Sequence, residues 1–216
     1  MMLMIEKLEQ LKQLVFAGDR AKKAPELVKE LLAENAKVDA ILNEALIPAM
    51  ELAGKKFELK EFFVPELIVA AKAMDRCLDI IRPLLEGAGA AGRGTMVIGT
   101  VKGDQHDIGK NIVKMMFKGS GFDVVDVGHD VPADKFVAAA KASNAQVVGM
   151  SALLTTTMPQ MGEVVKKLKD GLKDKTLVIV GGAPLSRKFA EDIGADFYAA
   201  TAPAAVELVK EKLGLR

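Results

Sequence analysis

The sequence predicts an α/β protein built from an N-terminal four-helix bundle and a five-stranded, doubly wound parallel sheet. Two patterns carry this prediction: residues 1–85 show apolar side chains at helical spacing, whereas residues 95–216 alternate short apolar, β-branched runs with helical segments. Between them, residues 86–94 (EGAGAAGRG) have the composition of a flexible linker. We therefore predict a helical cap domain at 1–86, a linker at 87–94 and an α/β domain at 95–216.

The N-terminal part is predicted to contain four helices joined by short loops. The second begins at Pro25 and the fourth at Pro65, because proline is favoured in the first turn of a helix. The third is predicted to start near residue 37, to be kinked by Pro48 and to end at Gly54. Four helices on short connections are typical of a small bundle.

Five strand–helix units are predicted after the linker. The strands are placed at 96–101, 123–127, 146–150, 177–180 and 196–198, and the helices near 109–119, 133–142, 158–171, 186–192 and 203–212. Consecutive units of this kind imply a parallel sheet with helices on both faces, the flavodoxin-like plan. In such a sheet the carboxyl ends of the strands meet at one edge, where ligands bind.

Composition and charge narrow the functional classes. The 216-residue chain carries 30 Lys+Arg and 29 Asp+Glu, a net charge of +1 without any basic block, which argues against a nucleic-acid partner. Its single cysteine, Cys77, excludes an internal disulfide and fits a reducing compartment; we expect it to face the bundle or to be inert. No apolar run reaches the roughly 18 residues of a membrane span, and the start lacks a signal-peptide pattern. We therefore predict a cytoplasmic protein without a membrane partner.

The loop after the first predicted strand carries an acid beside an imidazole. His106, one of two histidines in the chain, follows Asp104 by two residues in the run DQHDIG. Such an acid fixes which ring nitrogen keeps the hydrogen and leaves the other free as a base or a metal ligand. The loop is therefore the first candidate site.

Two further strand ends add hydroxyl groups and glycines. The third strand is followed by Ser151, Thr155 and Thr157, and the fourth by Gly181 and Gly182. A glycine pair lets a ligand approach the backbone, and it is equally typical of a tight strand-to-loop turn. The sequence has no P-loop, no G-x-G-x-x-G after the first strand and no aspartate cluster for Mg²⁺.

Three motifs at these strand ends resemble those of cobalamin-binding domains. They are D-x-H-x-x-G within residues 103–109 (GDQHDIG), S-x-L at 151–153 and a distal Gly-Gly at 181–182. With the helical bundle before them, they make the chain resemble, over nearly its whole length, the corrinoid methyl-carrier proteins of methanogens and acetogens and the cobalamin module of methionine synthase. The resemblance implies a cobalamin cofactor, methylcobalamin or a related corrinoid, with its cobalt.

The resemblance also implies a role for each motif residue. His106 ligates cobalt from below in place of the cofactor's own base, and Asp104 and Thr157 form its proton relay. Further cofactor-binding candidates in the α/β domain are Gly103, Asp107 (also a candidate helix cap), Ile108, Gly109, Ser151, Leu153, Thr155, Gly181 and Gly182. On the helical domain, the residues expected to shield the upper face of cobalt are Phe57, Phe63, Val64 and Leu67, the last being equally a candidate for the bundle core.

Three positions leave their roles open. Thr157 stands where methionine synthase has a hydroxyl residue of the relay, a conservative departure. Thr201 replaces an aspartate expected in the family's terminal G-A-D-x-Y-x-x-D pattern, which puts any contact made there in doubt. His129, in the run VGHDVP, is a candidate either for a turn residue or for the rim of the corrin.

The function implied by the resemblance is methyl transport. The protein binds cobalamin base-off and His-on and carries a methyl group on cobalt between two partner enzymes. One is a substrate:corrinoid methyltransferase, and the other passes the group to tetrahydrofolate or a thiol. A corrinoid-reactivating protein is a further expected partner. The methyl donor stays open among methanol, methylamines, methoxylated aromatics and betaines.

Three alternatives belong to other classes. A cobalamin-dependent sensor or regulatory module shares the domain order, but it needs a DNA-binding segment and a cap tryptophan, and the sequence contains no tryptophan. An adenosylcobalamin isomerase subunit needs a barrel partner and usually lacks a helical cap. A flavin- or phosphate-binding flavodoxin-like domain leaves Asp104 and His106 unexplained.

Overall fold

The computed structural model describes residues 2–19, 22–87, 93–172 and 176–215. The chain divides into two compact units, Met1–Gly92 with Gly119–Gly121 and Arg93–Lys118 with Phe122–Arg216. Most of the predicted linker, residues 88–92, lies outside the described residues. The domain limits predicted at 86 and 95 stay predictions.

The described part of the N-terminal unit is helical. Its elements are α1 (Met2–Phe16), α2 (Lys23–Ala33), α3 (Val38–Ala40), a π-helical turn (Ile41–Leu46), α4 (Ile47–Glu58) and α5 (Val64–Gly87). Pro25 and Pro65 lie in the first turns of α2 and α5, where the sequence places them. No helix in the described ranges combines the length and apolar character needed to cross a bilayer.

The third predicted helix differs from its prediction in two ways. A π-helical turn, Ile41–Leu46, joins α3 to α4 directly before Pro48. Proline has no N–H to donate to the carbonyl four residues earlier, and a widened turn accommodates that gap. The helix also continues to Glu58, so the prediction that Gly54 ends it is wrong. Gly54 is buried within α4, and tertiary packing there overrides its low helix propensity.

In the second unit five strands form one sheet, and helices alternate with the strands along the chain. Its elements are β1 (Thr95–Val101), α6 (Ile108–Gly119), β2 (Asp123–Val131), α7 (Ala133–Ala142), β3 (Val147–Ser151), α8 (Pro159–Leu172), β4 (Leu177–Gly181), α9 (Arg187–Asp192), β5 (Phe197–Tyr198) and α10 (Ala202–Lys212). The strand order is β2-β1-β3-β4-β5, and every adjacent pair is parallel. The predicted doubly wound fold is confirmed.

The central strands are covered on both faces. Val97, Val148 and Val178 point to one face and join the cluster formed by α7, α8 and α9. Met96 and Val147, which alternate with them, point to the other face and are also fully buried. This explains why these strands are almost continuously apolar instead of alternating.

The strand order creates a crevice at the carboxyl ends of β1 and β3. After β1 the chain moves outward to β2, and it then crosses back to β3, so the loops after β1 and β3 leave in opposite directions. Thr100 pairs with Ser151 at the ends of these two strands. Open α/β sheets bind ligands at such a switch point.

Strand β2 is longer than the sequence predicts. It continues beyond Val127 to Val131, with register shifts against β1 on either side of Gly128. Gly128 and Asp130 both have positive φ angles, 94° and 53°, which bend the strand and let it continue. His129 is therefore an exposed strand residue, and the turn alternative for it is wrong.

Candidate functional site

The carboxylate of Asp104 joins the loop after β1 to the loop after β3. Its Oδ1 accepts the backbone N–H of His106 (3.0 Å) and lies 2.8 Å from the ring Nδ1 of that residue. Its Oδ2 accepts the N–H groups of Leu153 (2.8 Å) and Leu154 (3.2 Å) and the hydroxyl of Thr157 (2.9 Å). Burial raises the pKa of this fully buried carboxyl, but these hydrogen bonds outweigh burial and hold the pKa well below its usual range. Asp104 is therefore a buried anion with both oxygens fully used.

The imidazole of His106 has one engaged and one open nitrogen. A carboxylate can only accept, so Nδ1 carries the hydrogen and Nε2 keeps its lone pair. The His106 side chain is 53% exposed, although its partner Asp104 is 0% exposed. The hydroxyl of Thr100, on β1, donates to the backbone carbonyl of His106 at 3.0 Å. Main chain and ring are thus both fixed, and a basic nitrogen is left for a ligand.

The surface beside His106 is apolar and open. Ile108, the first residue of α6, is 73% exposed, and Leu153 and Leu154 are also exposed. A Cβ added at Gly109 would meet no atom within 4 Å, so packing within the protein does not require glycine there. Exposed apolar side chains around an open glycine are typical of a surface kept for a ligand. Asp107 instead turns to its own helix, where its carboxylate accepts the side-chain amide of Asn111 at 3.1 Å.

A buried ion pair fixes α6 to the sheet. Lys110 is 3% exposed, and its Nζ lies 2.7 and 2.8 Å from the two carboxylate oxygens of Asp126 on β2. Lys114 and the N–H of Gly128 also donate to this carboxylate. Burial raises the pKa of Asp126, but the lysine contacts outweigh it and lower the pKa to about 2. The start of α6, and with it the loop that carries His106, is held against the edge strand.

The ends of β3 and β4 bring together Ser151, Gly181 and Gly182. Ser151 pairs with Gly181 across the ladder, and Thr155 lies exposed in the following loop. Gly182 has φ of 142°, and a Cβ there would lie 1.9 Å from the carbonyl oxygen of Ala152. The close approach of the residues that directly follow β3 and β4 thus already requires glycine at this position.

The predicted cap residues differ in exposure. Phe63 is 64% exposed just before α5, and its N–H donates to Oε2 of Glu66 at 3.0 Å, one half of a capping box. Phe57 and Val64 are half-buried. Leu67 is fully buried in the helical unit, as expected if it belongs to the bundle core.

Sequence reasoning missed four residues around the loop. Leu154 contributes a backbone N–H, and peptide groups leave no signal in the sequence. Thr100 did leave one, because it is a fully buried polar residue in an otherwise apolar strand and needs a hydrogen-bond partner. Asp126 and Asp130 lie in β2, where polar and apolar residues are mixed and most positions are not buried, so the strand pattern does not single them out.

Replacing Gly182 with alanine is expected to destabilise the α/β unit by about 3 kcal/mol, since the new Cβ overlaps a carbonyl and the positive φ strains an L-residue. Urea unfolding of the cofactor-free protein measures this. Gly109→Ala is the matched control, because its Cβ enters open space in a helix and leaves stability equal or slightly higher. Equal stability of the Gly182→Ala variant and wild type would contradict the prediction.

Comparisons with known proteins identify the family. Residues 94–209 match a family model described as a B12 binding domain, and residues 7–82 match a second model with the same description. The chain belongs to the B12-binding family. A corrinoid protein of Desulfitobacterium hafniense is 40% identical over 96% of this chain and 97% of its own length. Dimethylamine corrinoid protein 3 of Methanosarcina mazei is 45% identical over 76% of this chain and 99% of its own length. The crystal structure of the methanol:cobalamin methyltransferase complex from Methanosarcina barkeri aligns with a TM-score of 0.85 at 26% identity, covering 97% of this chain and 80% of that one.

These findings confirm the family and the cofactor predicted from the motifs, so the chain is a corrinoid protein that binds cobalamin. The residues that contact the corrinoid are still predicted, not shown. The geometry of His106 and its surroundings agrees with that prediction. Metal-ligating histidines generally donate their second ring N–H to a carboxylate or carbonyl, as His106 does to Asp104. The exposed Ile108 and Leu153 and the open Gly109 offer an apolar surface beside that imidazole.

Proposed function

We propose that this corrinoid protein carries a methyl group between partner methyltransferases, with Nε2 of His106 as the protein's ligand to cobalt. The observation that supports this most directly is the pairing of a half-exposed imidazole with a buried carboxylate at 2.8 Å. The methyl-carrier part draws on the relatives, which include a dimethylamine corrinoid protein and a chain of a methanol:cobalamin methyltransferase complex. When bound, the corrinoid supplies a cobalt centre that accepts and gives up a methyl group.

The chain's own contribution is ligation and proton control. Asp104 keeps the hydrogen of His106 on Nδ1, so that Nε2 faces outward with a free lone pair. Thr157, whose hydroxyl donates to the same carboxylate at 2.9 Å, completes the proposed relay behind the imidazole. The N–H of Leu153 and the hydroxyl of Thr157 keep that carboxylate ionised. His106, Asp104 and Thr157 thus form the proposed relay of the ligating loop.

The remaining motif residues are proposed to hold the cofactor. Residues 103 and 107–109, with Leu153, border the corrin, and Ser151, Thr155 and the 181–182 glycines line the slot for the displaced nucleotide tail. For the glycine pair this role comes in addition to the strand packing at Gly182. On the helical unit, Phe63 has the exposed ring expected of a residue that shields the upper face of cobalt.

The proposed partners are two methyltransferases and a reactivating protein. One methyltransferase delivers the methyl group from its substrate, and the other passes it to tetrahydrofolate or a thiol. A corrinoid-reactivating protein is the third partner expected from the resemblance to methanogen and acetogen carriers.

Methyl transport is tested with the full chain loaded with cobalamin. The protein is reduced and incubated with radiolabelled dimethylamine, trimethylamine or methanol and a methyltransferase specific for that substrate. We expect about one labelled methyl group per chain, because each chain offers a single D-x-H-x-x-G motif, and release of the label when the second methyltransferase and its acceptor are added. Failure of the protein to take up label from any donor, together with light-dependent self-association, would contradict transport and favour a sensor.

A further inference from the structure

We infer that Asp130 is a positioning residue that presets the His106 loop for ligation, an inference that rests on the proposed role of His106. Asp130 lies near the end of β2, outside the D-x-H-x-x-G motif. Its Oδ1 accepts the N–H of Gly103 at 2.7 Å, and its own N–H donates to the carbonyl of Asp104 at 2.9 Å. One residue of the edge strand thus holds two consecutive residues of the ligating loop.

The loop depends on contacts of this kind because its first residues have little else to hold them. Gly103 has no side chain and a φ of 81°. Among the residues that the structure describes, the main chain of Asp104 is otherwise held by one hydrogen bond, from its N–H to the carbonyl of Val101 at 3.1 Å. The Asp104 carboxylate in turn sets the ring of His106. A shift of the main chain at residues 103–104 would therefore move the imidazole.

Residues of β1, of β2 and of the loop after β3 all hold this loop. Thr100 on β1 holds the carbonyl of His106, and the residues after β3 hold the carboxylate of Asp104. Asp130 is the anchor from β2, and it holds the main chain at the point where the loop leaves β1. Its φ of 53° is a left-handed conformation that aspartate and asparagine tolerate better than other non-glycine residues. That conformation turns the residue's N–H and carboxylate toward the same loop.

Three substitutions separate the carboxylate contact from the backbone conformation. Asp130→Asn keeps an acceptor oxygen and suits a left-handed φ. Asp130→Gly removes the acceptor but relaxes the backbone, and Asp130→Ala removes the acceptor without relaxing it. Asp123→Gly is the matched control, because it removes an exposed acid at the opposite end of the same strand.

The full chain is reconstituted with cobalamin, and three quantities are measured for each variant: the visible spectrum of the histidine-ligated, base-off form, the dissociation constant for cobalamin, and the melting temperature of the cofactor-free protein. Because a preorganised ligand loses less freedom on binding, we expect Asp130→Gly and Asp130→Ala to bind cobalamin about 10-fold more weakly and to show a smaller ligated fraction. Asp130→Asn and Asp123→Gly should retain the wild-type spectrum and dissociation constant. The melting temperature of Asp130→Gly should lie at or above that of Asp123→Gly, because glycine relaxes the left-handed backbone at residue 130 but only adds chain freedom at residue 123.

Two results would overturn the inference. One is an unchanged ligated spectrum in both Asp130→Gly and Asp130→Ala. The other is a loss of ligation in Asp130→Gly that also occurs in the Asp123→Gly control, with the same fall in melting temperature. Such a result would show that any destabilisation of β2 weakens ligation. If wild type itself lacks the histidine-ligated spectrum, the proposed role of His106 fails. This failure is seen with the wild-type protein alone, so it cannot be confused with either result for the Asp130 variants.

Discussion

The Asp104→Asn substitution is expected to lower the free energy of unfolding of the α/β unit by about 3 to 5 kcal/mol, because it removes a buried charge that satisfies five donors. An amide has one acceptor oxygen, so its NH₂ must face donors that a carboxylate oxygen accepted. If the NH₂ faces Leu153 and Leu154, two backbone N–H groups lose their acceptor. If it faces His106, the ring must accept at Nδ1, which moves its hydrogen to Nε2 and removes the lone pair needed for ligation. Both orientations damage the site.

Urea unfolding of the cofactor-free protein measures the stability change, and the cobalamin spectrum measures ligation. Asp107→Asn is the control, because that neighbouring carboxylate accepts one side-chain amide from its own helix and its amide counterpart retains an acceptor. We expect the control to change stability by less than about 1 kcal/mol. An Asp104→Asn protein with wild-type stability and spectrum would show that the carboxylate is dispensable.

The carboxylates of Asp104 and Asp126 determine how the stability of the folded protein changes at acid pH. The pKa values of Asp104 and Asp126 are lowered in the folded protein, so each contributes stability above the pKa of an unfolded aspartate, about 3.9, and loses it as the pH falls. For Asp126 this loss is complete near its folded pKa of about 2. The unfolding free energy of wild type should therefore fall steeply below about pH 5, and that of Asp104→Asn less steeply.

The His106→Ala substitution is expected to remove the histidine-ligated spectrum and to weaken cobalamin binding by at least about 10-fold, since loss of a metal ligand costs no less than loss of its hydrogen-bonded partner. The cofactor-free protein should lose less stability than Asp104→Asn, because the half-exposed ring contributes little packing and supplies only one of the five donors to the carboxylate. Titration with cobalamin followed by visible absorption measures both effects.

His129→Ala is the matched control for this prediction, since it removes the chain's other histidine, an exposed residue of β2, and should leave the ligated spectrum in place. Added imidazole should partly restore that spectrum in His106→Ala, because the position of the lost ring is open to solvent. A ligated spectrum in His106→Ala without added imidazole would refute the assignment of the ligand.

Periodicity predicted most of the fold because the apolar side chains of this chain follow their elements closely. The strand β1 and helix α7, for example, lie within one residue of their predicted limits. The errors fall where the backbone departs from its ideal form. The π-helical turn before Pro48 leaves the apolar spacing nearly unchanged, and the extension of β2 depends on left-handed φ at Asp130, which spacing does not encode.

The candidate site was predicted in part, and the division has a physical cause. The contact between Asp104 and His106 is made by side chains whose types and spacing are visible in the sequence, whereas that between Asp104 and Thr157 was expected from the resemblance to methionine synthase. The N–H groups of Leu153 and Leu154 are equally close to the carboxylate, but any residue supplies such a donor. Their positions follow from the register of β3 beside β1, which only the folded chain shows.

The hydroxyl of Thr157 carries a single hydrogen but lies within reach of two acceptors, Oδ2 of Asp104 at 2.9 Å and the carbonyl of Leu154 at 2.8 Å. The carbonyl of Leu154 also accepts the backbone N–H of Thr157 at 3.0 Å. The hydroxyl hydrogen can therefore point to either acceptor without leaving this carbonyl unsatisfied. Rotation about one C–O bond therefore suffices to add or withdraw a hydrogen bond from the carboxylate. The number of hydrogen bonds that this buried carboxylate accepts can therefore change while every main-chain atom stays where it is.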